Sequence, residues 1–221
     1  FQLSMSLSYQ RYMLRDWQYF IISNGNCNNI NLGITLARTS TDNQMFPRRG
    51  SEFMASVTLT PPWSKFDNKD YSKLATDRTS ATYEQEQQEK YRWIEYHKWK
   101  FKARTFTALT SGQKCFVLMS RVEFGILGSY NKDKKSPFEN FYVGGDGMSG
   151  YSTGYAQETI GLRGYENGSL TPWSAPGYAY DRFTLELRYP FMLGNTTIYG
   201  LTFLEGGNAW YDTKKFNPFD M

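Results

Sequence analysis

Histidine-dependent catalysis has a single candidate, because His97 is the only histidine among the 221 residues. A triad or dyad that relies on an imidazole base must therefore use this side chain. His97 alternates with polar neighbours and falls on the same apolar side of its segment as Trp99. A histidine in such a position is more often packed or interfacial than catalytic. We predict that the protein is not an enzyme.

Cofactor and nucleic-acid binding have no matching pattern. A metal site needs clustered His, Cys or acidic ligands at suitable spacing, and the sequence offers none. Glycines surround Asp146 at 144–147, but no Lys-Ser/Thr pair follows them as in a phosphate-binding loop. Cys27 and Cys115 are far apart and are predicted to be unpaired thiols. A net charge of +4 is too small to argue for nucleic acid. We predict no metal, no cofactor and no nucleic-acid partner.

The clearest chemical pattern is a row of cations that alternates with apolar residues. The cations are Lys98, Lys100, Lys102 and Arg104, and the residues between them are Trp99, Phe101 and Ala103. Period two predicts a strand with one charged and one apolar face. The charged face needs water, either on the surface of a soluble sandwich or inside a membrane barrel whose apolar face contacts lipid. The alternation by itself leaves both interpretations open.

The same alternation recurs along most of the chain. It predicts roughly nine strands, at 1–10, 30–38, 52–60, 92–109, 115–128, 183–189 and 203–210, with weaker ones at 17–22 and 138–144. Segments 92–109 and 115–128 exceed the usual strand of about 5–6 residues. They match the roughly 9–11 residues that a tilted membrane strand needs. No apolar run is long enough for a transmembrane helix, and no helix of any size is predicted.

Composition and loop lengths favour the membrane barrel. Aromatic residues make up 18% of the chain although its mean hydropathy is −0.60, as expected where only alternate residues face lipid. Tight turns are predicted at Asn24–Gly25 and at Asn195, whereas 64–90 and 145–180 read as long polar loops. Short turns at one end and long loops at the other are typical of outer-membrane barrels. The predicted fold is an all-β, antiparallel transmembrane barrel.

Five motifs occur in one order between Asp42 and Trp210. They are Asp42–Asn43 with Phe46–Gly50, then Pro137–Gly145, Ile160–Glu166, Phe183–Leu187 and Phe203–Trp210. This order resembles the BamA insertase family of outer-membrane barrels. In that family a Val/Leu-Arg-Gly-Phe/Tyr tetrapeptide lies at the tip of the long sixth extracellular loop. Any one of these motifs is a weak signal, but their shared order is specific.

The resemblance implies that the long loop folds back into the barrel and is locked there. Its motif is Leu162, Arg163, Gly164 and Tyr165, its inner-wall partners are Glu186 and Glu205, and its structural glycines are Gly144, Gly145 and Gly161. A guanidinium keeps its charge and has a rigid fork of donors, so it pairs well with carboxylates in a partly dry lumen. Tyr165 is expected to pack against the interior wall.

Strand parity supports one of the two acidic partners. Glu186 lies opposite Phe183, Leu185 and Leu187, so it faces the lumen if those residues face lipid. Glu205 has the same parity as Phe203 and other apolar residues. Either that part of the wall is lined with aromatic and aliphatic groups, or a bulge near Gly206–Gly207 shifts the register. Both explanations stay open at this point.

By the resemblance, residues 1–221 form a single partial barrel domain. It holds roughly nine of sixteen strands and lacks the POTRA domains and the first and last barrel strands. The implied function is to fold and insert β-barrel proteins in the bacterial outer membrane. The implied partners are outer-membrane lipids, unfolded β-barrel clients and accessory BAM lipoproteins. A related two-partner-secretion exporter and a passive porin-like channel are the alternatives.

Overall fold

Alternating apolar and polar residues produce one large antiparallel sheet. The computed structural model describes residues 1–16, 22–67, 69–75, 77, 79–146, 156–172, 174–194 and 196–219. The strands of this described part are β1 (Gln2–Leu14), β2 (Gly25–Thr39), β3 (Gly50–Leu59), β4 (His97–Ala108), β5 (Val117–Gly128), β6 (Phe141–Val143), β7 (Glu158–Ile160), β8 (Ala179–Met192) and β9 (Ile198–Trp210). Seven pair in the order β1-β2-β3-β4-β5-β8-β9, whereas β6 and β7 form a separate parallel pair.

Several predicted boundaries change in the structure. The strand predicted at 92–109 begins only at His97, and the one predicted at 138–144 is reduced to β6, which lies outside the main sheet. Most of the strand predicted at 17–22 and the turn at Asn195 lie outside the described residues. The connection from β1 to β2 spans residues 15–24 and is therefore longer than a tight Asn-Gly turn.

One helix was missed by the sequence analysis. Helix α1 (Tyr83–Tyr91) lies, except for its last residue, inside the segment 64–90 that was predicted as a continuous polar loop. Its core, Glu84–Lys90, is made entirely of Glu, Gln and Lys, which are good helix formers. Because these residues carry no apolar stripe, a search for hydrophobic periodicity does not detect the helix. In the described residues, no helix has both the length and the apolar character needed to cross a membrane.

The two faces of the main sheet have opposite characters. We call the face covered by the described residues of 129–178 the inner face, and the other the outer face. Large apolar side chains are exposed along the outer face: Leu3, Leu7, Trp99, Phe124, Leu185 and Leu204. Charged side chains are buried on the inner face: Lys98, Glu123 and Glu186. A soluble sandwich would bury the apolar face instead, so that interpretation is wrong, and the fold is a partial antiparallel transmembrane barrel.

The long connections lie at one end of the sheet, as predicted. Residues 60–96 join β3 to β4 and residues 129–178 join β5 to β8 at this long-loop end. The shorter connections 40–49, 109–116 and 193–197 lie at the opposite, short-turn end. Each end has an apolar cluster. The long-loop cluster includes Ile94, Tyr96, Leu127, Phe138, Phe141, Leu162 and Tyr180, and the short-turn cluster consists of Phe46, Phe106, Cys115, Val117 and Met119.

Candidate functional site

The described residues of the segment 129–178 turn back against the inner face instead of extending away from the sheet; we call this segment the inward loop. Its two arms meet in the parallel ladder of β6 and β7, in which Phe141 pairs with Glu158 and Val143 with Ile160. Beyond the ladder the backbone N–H of Gly144 donates to the carbonyl of Ile160 at 3.0 Å. This ladder brings the predicted tetrapeptide to the tip of the described part of the loop.

The tetrapeptide forms a tight turn that directs Arg163 at the wall. Leu162 is fully buried in the long-loop cluster, and the N–H of Tyr165 points back to the carbonyl of Leu162 at 3.4 Å. Gly164 has φ +96°, a left-handed conformation that strains other residues. The tight turn after Arg163 therefore depends on Gly164.

The remaining predicted glycines lie under the loop tip. Gly144 and Gly145 also have positive φ, and a methyl group on Gly144 would lie 2.3 Å from the carbonyl oxygen of Glu166. The N–H of Gly145 donates to the carbonyl of Tyr165 at 3.0 Å. Gly161 supplies a carbonyl oxygen that accepts a short hydrogen bond from Arg182 on β8.

Arg163 contacts both predicted acidic partners. Its Nη2 lies 2.7 Å from Oε2 of Glu205 and 2.9 Å from Oε1 of Glu186. Its backbone N–H donates to the other carboxylate oxygen of Glu205 at 2.9 Å. The side chains of Glu205 and Glu186 are 1% and 7% exposed, so the ion pairs are shielded from water on their acidic side. Arg163 is thus held by backbone and side chain together.

The orientation of Glu205 resolves the parity question. The pairing of β8 with β9 runs without interruption from Ala179↔Trp210 to Pro190↔Tyr199, so the bulge considered near Gly206–Gly207 is absent. Glu205 lies opposite Thr184, and Phe203 lies opposite Glu186 on the same face. The inner wall is therefore lined in part by aromatic and aliphatic groups, which is the other of the two explanations.

The predicted position of Tyr165 is wrong. Its side chain is 44% exposed and lines a shallow depression with Gly145, Asp146 and Asn167 instead of packing against the wall. The positive φ of Gly164 reverses the chain after Arg163, so the side chain of Tyr165 leaves the wall while its backbone closes the turn.

Sequence reasoning missed a set of wall residues that complete the network. Arg121 on β5 donates to Oγ1 of Thr184 at 3.0 Å and to Oε2 of Glu205 at 3.1 Å. Arg188 on β8 donates to Oε2 of Glu186 at 2.6 Å. All of them share strand parity with the predicted partners. Strand parity therefore places these residues on the inner face, but it does not indicate which polar side chains contact one another.

A cavity of about 620 Å³ lies between the inward loop and the wall. Its charged lining is Lys100, Lys102, Arg121, Arg163, Arg182, Glu123, Asp146, Glu158, Glu186 and Glu205. Five cations thus face five acids, and the balance favours water over a charged ligand. Arg182 pairs with Glu123 at 2.7 Å on the same wall.

The residues considered for catalysis lie elsewhere. His97 accepts a hydrogen bond on Nδ1 from the indole of Trp99 at 3.0 Å and packs beside Tyr130. Sequence reasoning overlooked residues 150–154, which read Gly-Tyr-Ser-Thr-Gly, the spacing of a nucleophilic-serine turn. All five lie outside the described residues. Cys27, which lies within β2, and Cys115 are both buried free thiols, as predicted.

Comparison with known proteins gives a structural match and a family match. The crystal structure of BamA from Haemophilus ducreyi lacking POTRA domains 1–3 matches with a TM-score of 0.58 and 17% sequence identity. The match covers 94% of this chain and 38% of that chain, so this chain spans well under half of the matched structure. No curated protein matches the sequence. The sequence itself matches the Omp85 superfamily domain over residues 3–221, and the chain therefore belongs to the Omp85 superfamily.

Proposed function

We propose that this chain is the membrane barrel portion of an assembly factor that folds and inserts other β-barrels in the bacterial outer membrane. The observation that carries the proposal is the pairing of Arg163, at the tip of the inward loop, with Glu205 and Glu186 on the wall. This is the contact that the resemblance to the BamA family implies. The role is structural, because the lock holds a loop and no bond is made or broken. An enzyme activity or a cofactor has no part in it.

The proposed partners follow from the two faces and from the resemblance. The exposed apolar side chains of the outer face suit the acyl chains of outer-membrane lipids. Unfolded β-barrel clients and accessory BAM lipoproteins are the protein partners that the resemblance implies. The cations of β4 do not favour a passive anion channel, since Lys98 and Lys100 are neutralised by glutamates of the inward loop.

A related exporter of soluble proteins is the second candidate. The observation that favours it is the cavity with a charged lining beside the loop, which a substrate segment could enter if the loop moved. The two functions differ in what is lost when the loop is unlocked. An assembly factor would fail to deliver many outer-membrane barrels, whereas an exporter would fail to deliver its own soluble substrate.

The lock can be tested by charge reversal in the full-length protein. Arg163→Glu places a carboxylate against Glu205 and Glu186, and Glu205→Arg combined with it restores an opposite pair. We expect the single change to deplete folded outer-membrane barrels, scored by their heat-modifiable migration, and the double change to restore them in part. Full restoration is not expected, because Arg121 lies 3.1 Å from Glu205 and would repel the new arginine.

Arg92→Glu is the matched control, since Arg92 is exposed next to helix α1 and undergoes the same change of charge. It should leave barrel levels unchanged. If Arg163→Glu also leaves them unchanged while the export of one soluble protein falls, the exporter is the correct function. If neither changes, the lock has no part in either activity.

A further inference from the structure

A buried lysine of β4 binds the base of the inward loop through ion pairs and a hydrogen bond. Nζ of Lys98 lies 2.7 Å from Oε2 of Glu158 and 3.1 Å from Oε2 of Glu139, and it donates to the backbone carbonyl of Glu139 at 2.9 Å. The side chain of Lys98 is only 6% exposed. A buried ammonium requires such partners, because an unpaired charge in this position would be costly. Lys100, one step along the same face, also pairs with Glu158.

The β6–β7 ladder is the device that presents the two carboxylates together. The N–H of Glu158 donates to the carbonyl of Asn140 at 2.9 Å, and the N–H of Glu139 donates to the carbonyl of Ala156 at 2.6 Å. Glu139 adopts φ +66°, which is unfavourable for a residue with a side chain. The surrounding contacts hold it there, and the result is that both arms of the loop offer an acid to one lysine.

An apolar contact fixes the same part of the loop. Phe141 is fully buried and packs edge-on against Tyr180 of β8, with ring centroids 4.6 Å apart. The ring of Phe141 also lies 4.9 Å from Nζ of Lys98. Gly125 of β5 makes room for it, since a methyl group there would lie 2.8 Å from Cζ of Phe141 and 2.5 Å from Cε1 of Tyr180. The wall therefore has a notch that fits one loop side chain.

We propose that the inward loop has a second anchor, the stem anchor, formed by Lys98, Lys100, Glu139, Glu158 and Phe141 in the Gly125 notch. It is separate from the tip lock of Arg163, because the stem anchor is centred on β4 and β5 whereas the tip lock binds β8 and β9. The loop thus ties together strands three places apart in the sheet, about 14 Å at the usual strand spacing. These residues are positioning residues, and release of the loop from the wall requires both anchors to open. The inference goes beyond the proposed function and does not depend on it.

The independence of the two anchors can be measured by hydrogen–deuterium exchange of the purified full-length protein in detergent micelles. We expect Glu158→Lys to speed amide exchange at 141–143 and 158–160 by about tenfold or more while 162–165 keep their protection. Arg163→Glu should do the reverse. Adding Lys100→Glu to Glu158→Lys should restore protection of the ladder in part, because Lys98 still faces the new lysine; Lys100 is chosen because it is more exposed than Lys98.

Glu166→Lys is the matched control, because Glu166 is exposed in the same loop and undergoes the same charge reversal. It should not alter exchange in either region. If Glu158→Lys does not insert into micelles, Glu158→Gln removes the charge without reversing it and should give a smaller effect of the same kind. An unchanged ladder in Glu158→Lys or Glu158→Gln, or exchange that rises at stem and tip together in every variant, overturns the proposal. Assembly activity is not part of the readout, so failure of the proposed function leaves this test intact.

Discussion

The guanidinium carbon of Arg163 lies 3.6 Å above the centre of the Phe203 ring. The arginine is thus held between two carboxylates at its edge and an aromatic face beneath it. This arrangement explains why an apolar residue occupies the inner wall two positions before Glu205. A planar cation can stack on the ring while its N–H groups remain directed at the acids.

The ring should therefore contribute to the tip lock. We expect Phe203→Leu to weaken the lock by about 0.5–2 kcal/mol, the usual range for a cation–π contact, and Phe203→Tyr to retain most of it. Amide exchange at 162–165 in the purified protein measures this opening. Phe191→Leu serves as the control, since Phe191 is 60% exposed and does not touch the loop tip. If amide exchange at 162–165 is equally fast in Phe203→Leu and Phe203→Tyr, the ring contributes to the tip lock only by filling space and not by a cation–π contact.

The two acids of the lock should not be equivalent. Glu205 accepts from the backbone and side chain of Arg163, from Arg121 and from Thr184, whereas Glu186 is shared between Arg163 and Arg188. The side chain of Glu205 is also more buried than that of Glu186. We expect Glu205→Gln to cost about 3 kcal/mol or more, as for a broken buried ion pair, and Glu186→Gln to cost less. Urea unfolding of the two variants compares them, and a larger cost for Glu186→Gln would contradict the geometry.

Strand positions and facing could be predicted because a membrane barrel sorts alternate side chains between lipid and water. The charged residues of 98–104 and of 121–123 all lie on the inner face, as their parity predicts. Parity gave no answer for Glu205, because its neighbours Leu201 and Phe203 are apolar residues on an inner wall. Assigning faces by parity assumes that every inner-wall residue is polar. Phe203 is an exception, because Arg163 stacks on its ring inside the lumen.

The structure inside the inward loop could not be predicted from the sequence for a different reason. Strands β6 and β7 have three residues each, too few for an alternating pattern to be recognised. Their position depends on tertiary contacts, above all on the fit of Phe141 beside Gly125. A glycine in a strand indicates a bulge or a close approach, but the sequence does not name the partner.

The Gly125 notch should be sensitive to a single methyl group. Gly125→Ala places carbon against Phe141 and Tyr180, two rings that are fully buried and have little room to move. We expect faster exchange at 141–143 and a lower melting temperature. Gly33→Ala is the control, because its added methyl would meet only the hydroxyl of Ser6, which can rotate away. A fully stable Gly125→Ala protein would mean that the loop can repack without the notch.

Phe46 should stabilise the short-turn end. It is 3% exposed and belongs to the short-turn cluster with Phe106 and Met119, with its ring 5.4 Å from that of Tyr199. We expect Phe46→Ala to destabilise the protein by about 3–5 kcal/mol, as for other buried phenylalanines. Ion conductance across a planar bilayer should also rise, because the side chain fills the inner face at this end. Met45→Ala, at a neighbouring position that is 71% exposed, should change neither quantity.

The same turn should loosen in acid, and Asp42 is the responsible group. Partial burial acts to raise the pKa of its carboxyl group, but hydrogen bonds from the N–H groups of Arg48 and Arg49 and the guanidinium of Arg48 outweigh it and lower the pKa below the ordinary 3.8. A carboxylate whose folded-state pKa is lowered adds stability above its unfolded pKa and loses that contribution as the pH falls through the folded value. We therefore expect the amide resonances of Arg48 and Arg49 to shift with a midpoint below pH 3.8. Asp42→Asn should abolish this titration while Asn43 still accepts from the N–H of Phe46, so a titration that survives the substitution would assign it to another group.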